Sequence, residues 1–153
     1  MILDEVGDAA LAGVPESFIG AVVTGAALAI GDDDLRYTGA SVQRTEELVR
    51  LRFGGFTDST LTTISADFDL ASRHAEVVTR VHRRSDLERL EIRGGTASFG
   101  GDDPAEWPGS FAVRAQYRDG LEIVIPMSDA NTPKKRNAVW TILAGLRQDL
   151  STR

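Results

Sequence analysis

Three consecutive cations, Lys134, Lys135 and Arg136, stand at the start of a segment with helical spacing, "NTPKKRNAVW". The first turn of a helix already carries partial positive charge and favours carboxylates, so cations there oppose the dipole by a few tenths of a kcal/mol each. The same physics makes an anion site: free amide N–H groups, two amines and a guanidinium suit a phosphate, a lipid headgroup or an acidic partner segment. Arg80, Arg83 and Arg84 in the middle of the chain could extend this basic surface. A solvated helix start, offset by Asp129 or by the acids at 32–34, accounts for the same residues without a ligand.

A second cluster, "ADFDLASRHAEV", holds Asp67, Asp69, His74 and Glu76 within ten residues. Two carboxylates two apart on a strand share a side, which with an imidazole is a donor set for a divalent metal in a small hydrolase. A polar strand face ending in a turn explains it equally. Asp32, Asp33 and Asp34 lack the later Gly and Glu of a calcium loop and read as a charged turn. His74 and His82 are the two histidines, and neither sits beside a serine in a nucleophile elbow. "GAVVTG" has the glycines of a phosphate loop but is followed by Ala26 and Ala27, with no lysine or hydroxyl to hold phosphate and magnesium. No cofactor is indicated. Trp107 in "DDPAEWPGS" is a loop indole that either anchors the loop or forms part of an interface.

The elements that must position these groups follow from composition and periodicity. A chain of 153 residues suits one domain spanning 1–153, with an acidic segment 1–8 free to move. With 42% hydrophobic and 26% charged residues it has the composition of a globular protein. Cysteine is absent, which excludes disulfides, cysteine zinc sites and thiol nucleophiles and predicts a reducing cytoplasm. The acidic N-terminus is the wrong start for a secretory signal, and the uncharged run Phe18–Ile30 is shorter than the roughly 20 residues of a membrane span. Net charge is −6, with seven acids and no base in residues 1–35 and five arginines within 80–93. That balance favours a protein partner or a homo-oligomer over nucleic acid.

Phe111, Val113, Ala115 and Tyr117 alternate with polar residues, as do Leu121, Ile123, Ile125 and Met127. Their apolar faces coincide only if Arg118, Asp119 and Gly120 form a three-residue loop, which predicts a type I turn with a bulge and positive φ at Gly120. Val49, Leu51 and Phe53 and then Ile64, Ala66, Phe68 and Leu70 predict an earlier hairpin joined through "GGFTDS". Val77–His82 reads as a strand, and "SDLERLEIRGG" as a turn at 85–88 followed by a strand. Thr132 as cap, Pro133 at the first position, and Val139, Ile142, Leu143, Leu146 and Leu150 at helical spacing predict an amphipathic C-terminal helix.

The fold class is therefore α+β, a mostly antiparallel bent sheet or open barrel with the C-terminal helix packed on it. Taken as "VVTGAALAIGDDDLRYTGA" for an early hairpin, "RRSDLERLEI" for a turn and strand, and "FAVRAQYRDGLEIVIPM" before "NAVWTILAGLRQDL", the order resembles the pleckstrin-homology-like superfold. Phe18–Ile30 reads equally as a helix. The resemblance implies a binding role and no particular ligand, because that superfold hosts lipid, peptide and protein binding alike. The expected function is a non-enzymatic binding or interaction module, with a metal-dependent hydrolase or a structural homo-oligomer subunit as alternatives.

Overall fold

A computed structural model of the chain describes residues 6–94, 111–127 and 132–152. Helix α1 (Glu16–Ile30) leads into a four-stranded meander, β1 (Tyr37–Arg44), β2 (Leu48–Phe56), β3 (Thr60–Asp69) and β4 (Ala75–Arg83). A short turn of 3₁₀ helix at Arg84–Asp86 then opens a three-stranded meander, β5 (Leu87–Gly94), β6 (Phe111–Tyr117) and β7 (Glu122–Ile125), and helix α2 (Pro133–Ser151) follows. All pairings are antiparallel and each sheet keeps its strands in chain order. The molecule is α+β, with two open sheets and no closed barrel among the described residues. No described helix is long and apolar enough to cross a membrane.

The stretch Phe18–Ile30 is a helix, so the early hairpin over 22–40 does not exist. Phe18, Val22, Ala26 and Ile30 recur every fourth residue and are all buried, which outweighs the β-branched content. Gly31 ends the helix with a positive φ, its N–H donating to the Ala27 carbonyl at 2.9 Å. The buried stripe covers the face of the first sheet formed by Ala40, Val49, Leu51, Phe53, Ile64, Ala66 and Phe68. Each large apolar side chain in that layer contributes roughly 1.5–3 kcal/mol of burial.

The β2–β3 hairpin forms with the expected partners, Val49 opposite Phe68, Leu51 opposite Ala66 and Phe53 opposite Ile64. Its turn is tighter than "GGFTDS" suggests, because Gly54, Gly55 and Phe56 continue the strand and the Thr57 N–H donates to the Thr60 carbonyl at 3.0 Å. The β6–β7 hairpin takes the three-residue loop: Ala115 faces Ile123, Val113 faces Ile125, the Gly120 N–H donates to the Tyr117 carbonyl at 2.9 Å, and Gly120 has φ +86°.

Among the described residues, the opposite face of the first sheet is covered at one end only. There Tyr37, Phe56 and Leu61 join the inner residues of β5–β7 and Val139, Ile142, Leu143 and Leu146 of α2 in a second core. Arg84 is buried beside it, with Nε donating to Asp149 Oδ2 at 2.9 Å and Nη1 to the Thr57 carbonyl at 2.8 Å. It ties the β2–β3 turn to the far half of α2. Asp149→Ala would leave that guanidinium buried and half-paired, an expected loss of about 3 kcal/mol in chemical denaturation.

The second sheet meets the first where β7 lies on paired glycines, Gly39 of β1 opposite Gly54 of β2. A Cβ on Gly54 would stand 2.6 Å from Ile123 Cδ1, and one on Gly39 would stand 3.1 Å from Met127 Cγ. A Cβ at either position would force these side-chain ends, and at Gly39 the nearer Tyr37 hydroxyl, to shift, so the bare backbone lets β7 rest here undisturbed. Gly54→Ala is expected to destabilise by roughly 1–3 kcal/mol. Adding Ile123→Val, which removes the clashing methyl, should recover part of that loss in a double-mutant cycle.

Candidate binding groove between the sheets

Beyond the glycine seam, the sheet face away from α1 has no helix over it among the described residues. Ser41 of β1, Arg52 of β2, Thr63 and Ser65 of β3 and Arg80 of β4 form one side of a groove of about 650 Å³. These residues lie in two adjacent rows across the sheet: Ser41, Arg52 and Ser65 are cross-strand partners in one, while Thr63 and Arg80 continue the row of Gly39 and Gly54. The other side is Leu121, Glu122, Ile123, Val124, Pro126 and Met127, a nearly continuous run of the β7 segment. The groove therefore crosses the first sheet and runs along an edge strand of the second.

Its charge is asymmetric. Arg52 Nη1 donates to Asp67 Oδ1 at 2.7 Å and to the Leu51 carbonyl at 2.9 Å, so much of its charge is answered within the sheet. Glu122 lies 3.4 Å from Arg114 Nε. Arg80 is exposed and has no ion-pair or hydrogen-bond partner among the described residues. It is the unpaired cation of the groove, set against an apolar wall.

The other candidate cations do not join it in one surface. Lys135 Nζ donates to the Thr38 carbonyl at 2.7 Å and sits over the Tyr37 ring, which ties the start of α2 to β1. Thr132 caps that helix, accepting from the Lys135 N–H at 3.3 Å. Lys134 is exposed and Arg136 half-buried. Arg84 is bound to Asp149, 14 residues beyond Lys135 and thus about 21 Å further along the helix. Arg83 is exposed at a shallow recess with His82, Asp86, Tyr117 and Asp119.

The carboxylates and imidazole of 67–76 are divided as well. Asp67 serves Arg52, while Asp69 Oδ1 accepts the Ala71 and Ser72 N–H groups at 2.9 and 2.7 Å, holding the β3–β4 turn. His74 and Glu76 are exposed. Among the described residues, no three such side chains converge on a point where a metal could bind. Trp107 lies outside the described residues.

One constellation was not legible in the sequence. His82 is buried; its Nε2 is 3.2 Å from Thr63 Oγ1 and its Nδ1 is 2.8 Å from Asp119 Oδ2. Hydroxyl, imidazole and carboxylate stand in the order of a nucleophile, base and orienting acid. Acyl transfer also needs donors at the developing oxyanion, and Thr63 lies in an inner strand paired on both sides, to Gly54 and to Arg80, whose amides serve the ladder. What the contact does is join β3, β4 and the β6–β7 loop at the end of the groove. The signal that could have found it is the spacing that makes Thr63 and His82 diagonal neighbours across β3 and β4.

The Leu121 N–H, donating to Asp119 Oδ1 at 3.1 Å, and then the neighbouring His82 hold the Asp119 carboxyl below the usual carboxylate range. A depressed carboxylate contributes stability above its unfolded value, about pH 4, and that contribution is lost as pH falls through the lower folded value. Asp119→Asn keeps an acceptor for Leu121 and removes the charge. It is expected to be less stable than the parent at pH 6 and to approach it as pH falls below the usual carboxylate range, read by urea denaturation across a pH series.

Comparisons of this chain with protein-family models, with curated proteins and with solved structures find no match. Function has to be argued from the groove itself.

Proposed function

We propose that this chain is a binding module whose ligand lies in the groove between the first sheet and β7, with Arg80 engaging an anionic group and the β7 wall an apolar part. The observation that carries this reading is the unpaired Arg80 guanidinium on a groove whose opposite wall is Leu121, Ile123, Val124, Pro126 and Met127. A concave site with an apolar lining and few polar anchors is the usual form of a ligand site. Two antiparallel sheets followed by a C-terminal helix are compatible with the element order of the pleckstrin-homology-like superfold, which hosts lipid, peptide and protein binding, although α1 precedes the sheets here. The absence of cysteine supports a reducing, cytoplasmic setting.

The test is a thermal-shift series with inorganic phosphate, dodecanoate, dodecyl phosphate and acidic peptides on the parent, Arg80→Ala and Lys134→Ala. A probe at about 100 times its Kd should raise the midpoint by several degrees. The shift is expected to vanish in Arg80→Ala and to persist in Lys134→Ala. The reverse pattern would move the site to the start of α2, and no shift with any probe would remove the groove as a ligand site.

A further inference from the structure

The β7 wall of the groove is backbone as well as side chain. In this hairpin the Tyr117 N–H donates to the Leu121 carbonyl at 2.8 Å, and the register then pairs Ala115 with Ile123 and Val113 with Ile125. Antiparallel ladders alternate, so Leu121, Ile123 and Ile125 direct their backbone groups at β6, while Glu122 and Val124 direct theirs away from it. β7 is the last strand of its sheet, and the N–H and C=O groups of Glu122 and Val124 meet no partner among the described residues. Two donors and two acceptors thus stand at strand spacing along the groove. Such an edge is a template for another strand unless something blunts it. Here Pro126 closes one end and the Asp119–Gly120 loop the other, leaving a window two outward-facing residues long.

We propose that the occupant of the groove is an extended polypeptide segment that pairs with β7, its backbone bonding Glu122 and Val124 and one of its acidic side chains reaching Arg80. This inference rests on the groove being the ligand site and adds the class of ligand. A lipid or a phosphate could answer Arg80 and the apolar wall, but neither supplies donors and acceptors in alternation for four backbone groups. A peptide strand supplies both. Alternate side chains of that strand face the floor of Thr63, Ser65 and Arg80, which asks for a small or acidic residue at every second position. Glu122 is occupied by Arg114 and leaves the acid to Arg80.

The test uses Val124→Pro, which deletes the outward N–H and no bond to β6, beside Val124→Thr, which keeps it. The probes are fluorescent ten-residue peptides, free of proline and alternating Val or Thr with Glu, the same peptides N-methylated at alternate amides, and dodecanoate. Peptide binding is expected in the parent and in Val124→Thr, and at least ten-fold weaker with Val124→Pro or with the N-methylated peptides. The methylated probes carry the test by themselves if Val124→Pro proves unfolded. Equal affinity for methylated and unmethylated peptides would overturn strand pairing. Binding of dodecanoate alone, unaffected by Val124→Pro, would overturn the peptide and leave the groove intact. Dimerisation of the parent that Val124→Pro abolishes would replace the peptide with a second copy of the chain. No binding of any probe would remove both the groove reading and this one.

Discussion

The close approach of β7 to the paired glycines Gly39 and Gly54 is the constraint on which the rest of the molecule depends. Without side chains at those two positions, Ile123 and Met127 rest on the first sheet near its backbone. One step to either side along β2, at Arg52 and Phe56, the surface is entirely different. Phe56 is fully buried in the second core, whereas Arg52 lines the groove. The seam therefore divides one sheet face into a packed half and an open half. Both the second core and the groove are consequences of where it falls.

This division explains why a polar sheet face is tolerated. Ser41, Arg52, Thr63, Ser65 and Arg80 keep their polar ends in or near water, and Arg52 finds Asp67, so no buried charge has to be compensated there. The face toward α1 carries the burial instead, through the four-residue repeat of Phe18, Val22, Ala26 and Ile30. Arg84 is the exception, a cation taken into the interior, and it is satisfied by Asp149 and the Thr57 carbonyl. A buried ion pair of this kind adds little net stability, although removing one partner is costly.

Local patterns were legible in the sequence and their assembly was not. The β6–β7 loop could be derived because a two-residue turn would have put Tyr117 opposite Glu122, and only one register kept the apolar residues together. The cap and apolar stripe of α2 were equally plain from Thr132, Pro133 and the spacing of Val139 to Leu146. Phe18–Ile30 was ambiguous, since Gly, Val and Thr within it weaken helix propensity while burial at every fourth position overrides them. Only the first four residues of β1, Tyr37 to Ala40, fall inside the supposed early hairpin, and the rest of the strand lies beyond it. The groove draws on six strands between Ser41 and Met127, so no window of sequence displays it. The doubled glycine at 54–55 signals close backbone approach, but in sequence it is indistinguishable from part of the turn "GGFTDS". The run Lys134–Arg136 was conspicuous in sequence, yet Lys135 is tied to Thr38 and stands far along α2 from Arg84.

The seating of β7 on the glycine pair can be measured without knowing any ligand. Methyl-labelled nuclear magnetic resonance would read the Overhauser contact between the Ile123 δ1-methyl and the Gly54 α-protons in the parent protein. A strong contact, together with one from Met127 to Gly39, is expected if the seam places β7 as described. Its absence in a folded sample would mean that β7 lies elsewhere, and the groove and everything argued from it would fall with the seam.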